Sequence, residues 1–264
     1  MNNTSPHVSL GIWFGRLLAA TFLAGQVILH LIQGKIHRRN TLDQMAAVGP
    51  ESFLIIMITT TVIGMVFTIQ TAREFLNFGA GNAVGGVLAL ALSRELAPMI
   101  AAVVLAGRVG SAFAAELGTM QVTEQIDALY VLKTDPIDYL VTPRVLACSL
   151  MLPVLTILSI IFGMLGGLLI ATSLYGNSIT QSIFLDSAQR LLNVWDLFSA
   201  TIKALVFGLL IAIIGCSWGL TTTGGAKGVG KSTTAAVVTS LLAIFIANFF
   251  LSWLMFQGTG TATL

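Results

Sequence analysis

Five long apolar stretches, at 53–72, 83–107, 145–171, 197–220 and 235–256, dominate this 264-residue chain. A hydrocarbon core about 30 Å thick is crossed by roughly 20 apolar residues in a helix, and each stretch meets that length. Lipid offers no hydrogen bonds, so a spanning segment must satisfy its own backbone. Continuous apolar runs do this as helices. The composition agrees: only 9% of residues are charged and 56% are hydrophobic, against about a quarter charged in an ordinary soluble domain. The expected fold class is an all-α integral membrane protein with five transmembrane helices and little mass outside the bilayer. High hydrophobicity with low charge excludes a disordered chain. A net charge of +2, with no block of like charges, excludes nucleic-acid binding.

Basic residues in short loops set the orientation. With five spans, Lys35, Arg38, Arg39, Lys133, Arg144, Lys227 and Lys231 all fall on one side, while Arg73 and Arg190 on the other lie near Glu74 and Asp186. The N-terminus is therefore expected in the cytoplasm. Before the first span, 17–32 is shorter and carries Gln26, His30, Gln33 and His37 at steps of four, three and four, one face of a helix. That pattern fits a helix lying in the membrane interface, within 8–37, and is preferred to a sixth span. A cleaved signal fits worse, because the positive charges follow the apolar stretch instead of preceding it.

Arg94 and Glu95 lie inside the second run. Each costs roughly 2.5–3.5 kcal/mol at the centre of a spanning helix on insertion scales, so such residues face a bundle interior or a watery cavity. Pro98, four positions after Arg94, cannot donate the hydrogen bond that the Arg94 carbonyl would accept, and the helix is expected to kink or open there. Two readings follow: residues lining a cavity near mid-membrane, or an interhelical ion pair that fixes packing. Small residues from Ala101 to Ala115, with Gly163, Gly166 and Gly167, suit close helix packing in lipid. The stretch 116–136 is too polar for the bilayer, and an amphipathic helix is expected over 119–132. It reads either as a connector resting on the membrane or as a docking helix for a cytoplasmic partner. Asp135-Pro136 and Thr142-Pro143 are helix-start signals.

Gly225 to Ser232 spells G-x-x-x-x-G-K-S, the phosphate-loop expression. A working phosphate loop joins a buried strand to a helix of an α/β domain and needs an acid to hold magnesium. Here it joins two apolar runs, and no Asp or Glu follows Ser232. It reads as a decoy, a glycine-rich turn with two lysines near the headgroups. Cys148 and Cys216 lie within apolar runs, with no disulfide framework or metal-ligand spacing.

Residues 94–147, RELAPMIAAVVLAGRVGSAFAAELGTMQVTEQIDALYVLKTDPIDYLVTPRVLA, closely resemble the MlaE (YrbE) family of ABC-transporter permeases. Gly224-Gly-Ala-Lys-Gly-Val-Gly and Thr233-Thr-Ala-Ala-Val-Val look like that family's second signature, in a cyanobacterial or plastid-like style. The resemblance implies a lipid-transport subunit (phospholipid or glycolipid) that is not itself an enzyme. It implies a homodimer in a bacterial inner membrane or plastid inner envelope. It also implies a cytoplasmic ATPase that holds the ATP, and a periplasmic MCE-type lipid-binding protein. Arg94 and Glu95 match the polar pair of the family's lipid cavity, which Phe67, Phe75 and Phe78 are placed to wall. Met120, Thr123, Glu124, Gln125, Asp127 and Leu129 match its coupling helix, and the N-terminal segment its interfacial elbow. An ATP-independent transporter or channel is the alternative, disfavoured by the lack of a paired repeat.

Overall fold

The computed structural model describes residues 10–32, 37–176 and 178–257. Among them every regular element is helical, and five stretches are long and apolar enough to cross a membrane. Helix α1 (Leu10–Ile32) and short α2 (Arg38–Val48) come first. Of the expected 8–37 helix, residues 8–9 and 33–36 lie outside the described residues, Gln33 of the polar face among them. The first span is α3 (Pro50–Asn77), opened by Pro50 in its first turn, where a missing N–H costs nothing.

The second span is one continuous rod, α4 (Val84–Ala91), α5 (Ala97–Leu105) and α6 (Ser111–Val122). Two π turns, Leu92–Leu96 and Ala106–Gly110, join its pieces. The helix expected over 119–132 is divided: α6 ends at Val122, and α7 (Gln125–Val131) begins after Glu124, whose φ is +61°. A left-handed residue cannot continue a right-handed helix. The Thr123 hydroxyl bonds back to the Thr119 carbonyl and closes the α6 end.

A third π turn, Ile137–Val141, leads into α8 (Thr142–Leu174). The Asp135 carboxylate accepts the Ile137 N–H at 2.9 Å, and Pro143 occupies the first turn of α8, as the two start signals foretell. After amphipathic α9 (Gln181–Leu191), α10 (Val194–Leu220) and α11 (Gly225–Phe256) complete the bundle.

Glycines set how closely the spans approach. A Cβ on Gly64 would collide with the Gly163 carbonyl, and one on Gly166 with that of Thr61, so α3 and α8 touch backbone to backbone. Helix α10 lies centrally, its Ala204, Phe207, Ile211 and Cys216 fully buried. By contrast, Ile246, Phe249, Phe250, Trp253 and Leu254 leave a broad apolar face of α11 exposed.

Helix α1 does not run alongside the spans. Arg16 Nη2 donates to the Thr221 carbonyl just past α10 (3.4 Å), and His30 lies beside Asp135 and Asp138, just before α8. Both contacts belong to the same end of the bundle, where α10 finishes and α8 begins. The helix therefore crosses that end, burying Ala20, Leu23 and Val27 against the core. Lys133, Arg144, Lys227 and Lys231 belong to this basic end as well.

Candidate functional site

Pro98 leaves the Arg94 carbonyl without its helical donor, and the chain opens into the π turn Leu92–Leu96 around it. Lys203 of α10 supplies the missing hydrogen: its Nζ donates to the Arg94 carbonyl at 2.6 Å. The same ammonium donates to Glu95 Oε1 at 2.8 Å and Ser252 Oγ at 2.7 Å, so all three N–H bonds are used. Glu95 is gripped from α11 too: Ser252 Oγ donates to Oε1 and Asn248 Nδ2 to Oε2, each at 2.7 Å.

Beside this knot, Arg94 Nε donates to Asp196 Oδ1 at 2.7 Å. Asp196 has two tasks, because its Oδ2 accepts the Asn193 N–H at 3.0 Å in the capping box that starts α10. The Phe256 ring lies under both cations, 4.8 Å from Arg94 Cζ and 5.6 Å from Lys203 Nζ, within cation–π range.

Burial divides these four charges into two layers. The side chains of Lys203 and Asp196 are 0% and 1% exposed, whereas those of Arg94 and Glu95 are 40% and 41% exposed. Two buried charges form a floor, and their partners form an open rim. The rim presents one cation and one anion, each already oriented, beside the exposed apolar face of α11. Such a surface can meet a dipolar or phosphate-bearing headgroup without first paying to order its side chains.

Residues 41–254 match the profile of the family described as permease MlaE. The chain belongs to the MlaE permease family. It is 67% identical over its full length to a probable ABC transporter permease protein of Synechocystis, all of which it covers. It is 57% identical over 249 residues, 94% of this chain and 70% of the relative, to the chloroplastic protein trigalactosyldiacylglycerol 1 of Arabidopsis thaliana. A probable ABC transporter permease protein of Rickettsia typhi is 40% identical over 87% of this chain and 88% of its own. The chain is thus an ABC transporter permease of the MlaE family, with cyanobacterial and plastid relatives.

Within this MlaE permease, Arg94 and Glu95 both make interhelical ion pairs, to Asp196 and Lys203 of α10, while their side chains stay part-open. The site lies toward the end of the bundle opposite the basic one, because Arg94 is tied to the first turn of α10 and Phe256 ends α11. Phe67 and Phe75 are not brought to it: they pack with Leu88 and Leu92 against the α4–α8 seam. Phe78 is 83% exposed at the end of α3. Phe256 provides the aromatic ring instead.

Asp196, Lys203, Asn248 and Ser252 were missed. Lys203 carries the same signal as Arg94 and Glu95, a charge inside an apolar run, and the same reasoning finds it. Asp196 lies one residue before the fourth run, where it reads as an ordinary cap. Asn248 and Ser252, four apart on α11, share a helical face, a weak cue by itself.

The phosphate-loop string forms the first two turns of α11, opened by Gly225 at positive φ and preceded by Gly224, also at positive φ. Its residues are helical and Ser232 is buried, and the string follows a helix and not the strand of an α/β phosphate loop. On the coupling segment, Ile126 is buried against the bundle. Thr123, Glu124, Gln125 and Asp127 are exposed, and Met120 packs on the core.

Proposed function

We propose that this permease moves lipids, phospholipid or glycolipid, between its membrane and an MCE-type lipid-binding protein, powered by ATP hydrolysis in a separate cytoplasmic ATPase. The observation that carries the reading is the half-open Arg94–Glu95 rim next to the bare apolar face of α11. An amphiphile needs both chemistries side by side: fixed charges for the headgroup and an unbroken hydrocarbon wall for the tails. One relative is named for trigalactosyldiacylglycerol, a sugar-headed lipid, which supports a lipid cargo.

The same rim supports a homodimer. Charges 40% exposed within a span are costly against lipid, and a second copy packed across α11 would enclose them as a shared cavity. The basic end is the cytoplasmic one by the positive-inside rule, so the N-terminus is cytoplasmic, in a bacterial inner membrane or plastid inner envelope. There α1 lies as the interfacial elbow. The ATPase docks on the exposed residues around α7, with Met120, Thr123, Glu124, Gln125, Asp127 and Leu129 at the coupling surface.

The test is lipid transfer by the full chain, reconstituted in vesicles with its ATPase and MCE partners, using labelled phospholipid and galactolipid. Replacing Arg94 and Glu95 together by alanine should remove most ATP-dependent transfer while the ATPase still co-purifies. Unchanged transfer by an intact complex would overturn the site. Transfer by the wild type without any ATPase would overturn the coupling.

A further inference from the structure

His30, near the C-terminal end of α1, is placed between two carboxylates of the connector that joins α7 to α8. Its Nε2 is 3.6 Å from Asp135 Oδ2 and its Nδ1 is 3.6 Å from Asp138 Oδ1. The ring is largely enclosed, its side chain 16% exposed and that of Asp138 17%. Among the described residues, neither His30 Nδ1 nor Asp138 Oδ1 has a hydrogen-bond partner. Asp135 is held in place from below, since its Oδ1 accepts the Ile137 N–H.

A neutral imidazole carries one N–H and one lone pair. With a carboxylate oxygen facing each nitrogen, either tautomer would turn its lone pair toward an anion. Only the imidazolium directs an N–H to both. We infer that His30 is a protonation-dependent latch fastening α1 to the α7–α8 connector, closed when the ring is charged and released when it is neutral. The neighbouring groups leave this assignment to His30. Lys133 and Tyr130 line a hollow with Gln26, Thr134 and Asp135, and Lys133 is the cation of that hollow. His37 lies edge-on to Tyr139 at 5.7 Å. From the other elements packed on α1, Arg144 of α8 is committed to Glu116, and Arg16 bonds Thr221 at the far end of α1.

The sign follows from which species makes both contacts. Acid closes the latch and base opens it, because only the charged ring directs an N–H to both carboxylates. Its position matters because the connector follows directly on α7. Releasing it frees one attachment between the N-terminal helix and the segment that would receive force from an ATPase, but the latch itself is a property of this chain alone.

The test needs neither partner nor transport. Spin labels on cysteines placed at Gln26→Cys and Thr134→Cys, which line one hollow, report the α1–connector distance in lipid nanodiscs; Cys148 and Cys216 are buried and do not compete. The short-distance population should dominate at the acidic end of a pH series and fall by more than half at its alkaline end. In His30→Gln that response should vanish, and in His30→Arg the short distance should persist at both ends. A pH response unchanged in His30→Gln, or a wild-type distance that is constant over the whole range, would overturn the latch. Identical gel-filtration profiles of all variants show that folding is intact.

Discussion

Charges occur in long-range pairs at both ends of this bundle, and the two ends treat them differently. Near the Phe256 end, Arg94–Asp196 and Glu95–Lys203 each combine a buried member with a half-open one, and three elements, the second span, α10 and α11, meet through them. At the basic end, Arg144 pairs with Glu116 while stacked on Phe113. Arg108, in the second π turn, ties Glu51, Ser52 and the Ala47 carbonyl at the α2–α3 junction. In these basic-end pairs the acid is the exposed partner: Glu116 and Glu51 are 56% and 62% exposed. If the arginine is lost there, its acid finds water. At the Phe256 end the buried members, Lys203 and Asp196, are held by the rim charges together with Ser252 Oγ and the Asn193 N–H. The difference separates clasps whose acids face water from a cluster that keeps a lysine and an aspartate out of it.

Three substitutions probe that contrast. Lys203→Met should have the largest effect, because it strips one donor each from Glu95, Ser252 and the Arg94 carbonyl. Breaking a buried pair costs about 3–5 kcal/mol, so the variant should lose most of its thermal stability in detergent and its lipid transfer. Arg144→Met should cost less, about 1–3 kcal/mol, since Glu116 is rehydrated and the methionine keeps the contact with Phe113. Should thermal unfolding show equal losses for Lys203→Met and Arg144→Met, the distinction between the two ends fails. Glu51→Gln should be the mildest, within about 1 kcal/mol, with transfer unaffected. A strong transport defect in that variant would mean that the α2–α3 junction takes part in the transport cycle.

The spans were legible because lipid imposes a one-dimensional rule: length and hydropathy, readable residue by residue. Arg94 and Glu95 were legible for the same reason, as violations of it. Their partners were not, because Asp196 and Lys203 lie over a hundred residues away in sequence, and no local pattern encodes which helix faces which. Lys203 shows the more instructive gap, since it breaks the rule as openly as Arg94 does. The division of 119–132 at Glu124 escaped detection because a single left-handed residue that is not glycine leaves no trace in the hydrophobic pattern. Phe67 and Phe75 were assigned by their nearness to one end of α3; packing against Leu88 and Leu92 decides their face, and sequence distance does not report that.

Pro98 makes the second span unable to complete its own ladder, and α10 completes it through Lys203. A helix that borrows a hydrogen from its neighbour cannot slide or turn past it by even one residue without stranding a carbonyl in hydrocarbon. The second span and α10 therefore travel as one piece, keyed at residue 94 like a dowel between two boards. Helix α11 meets that key through the side chains of Asn248, Ser252 and Phe256. A step of α11 past the pair would exchange side-chain partners and strand no backbone group.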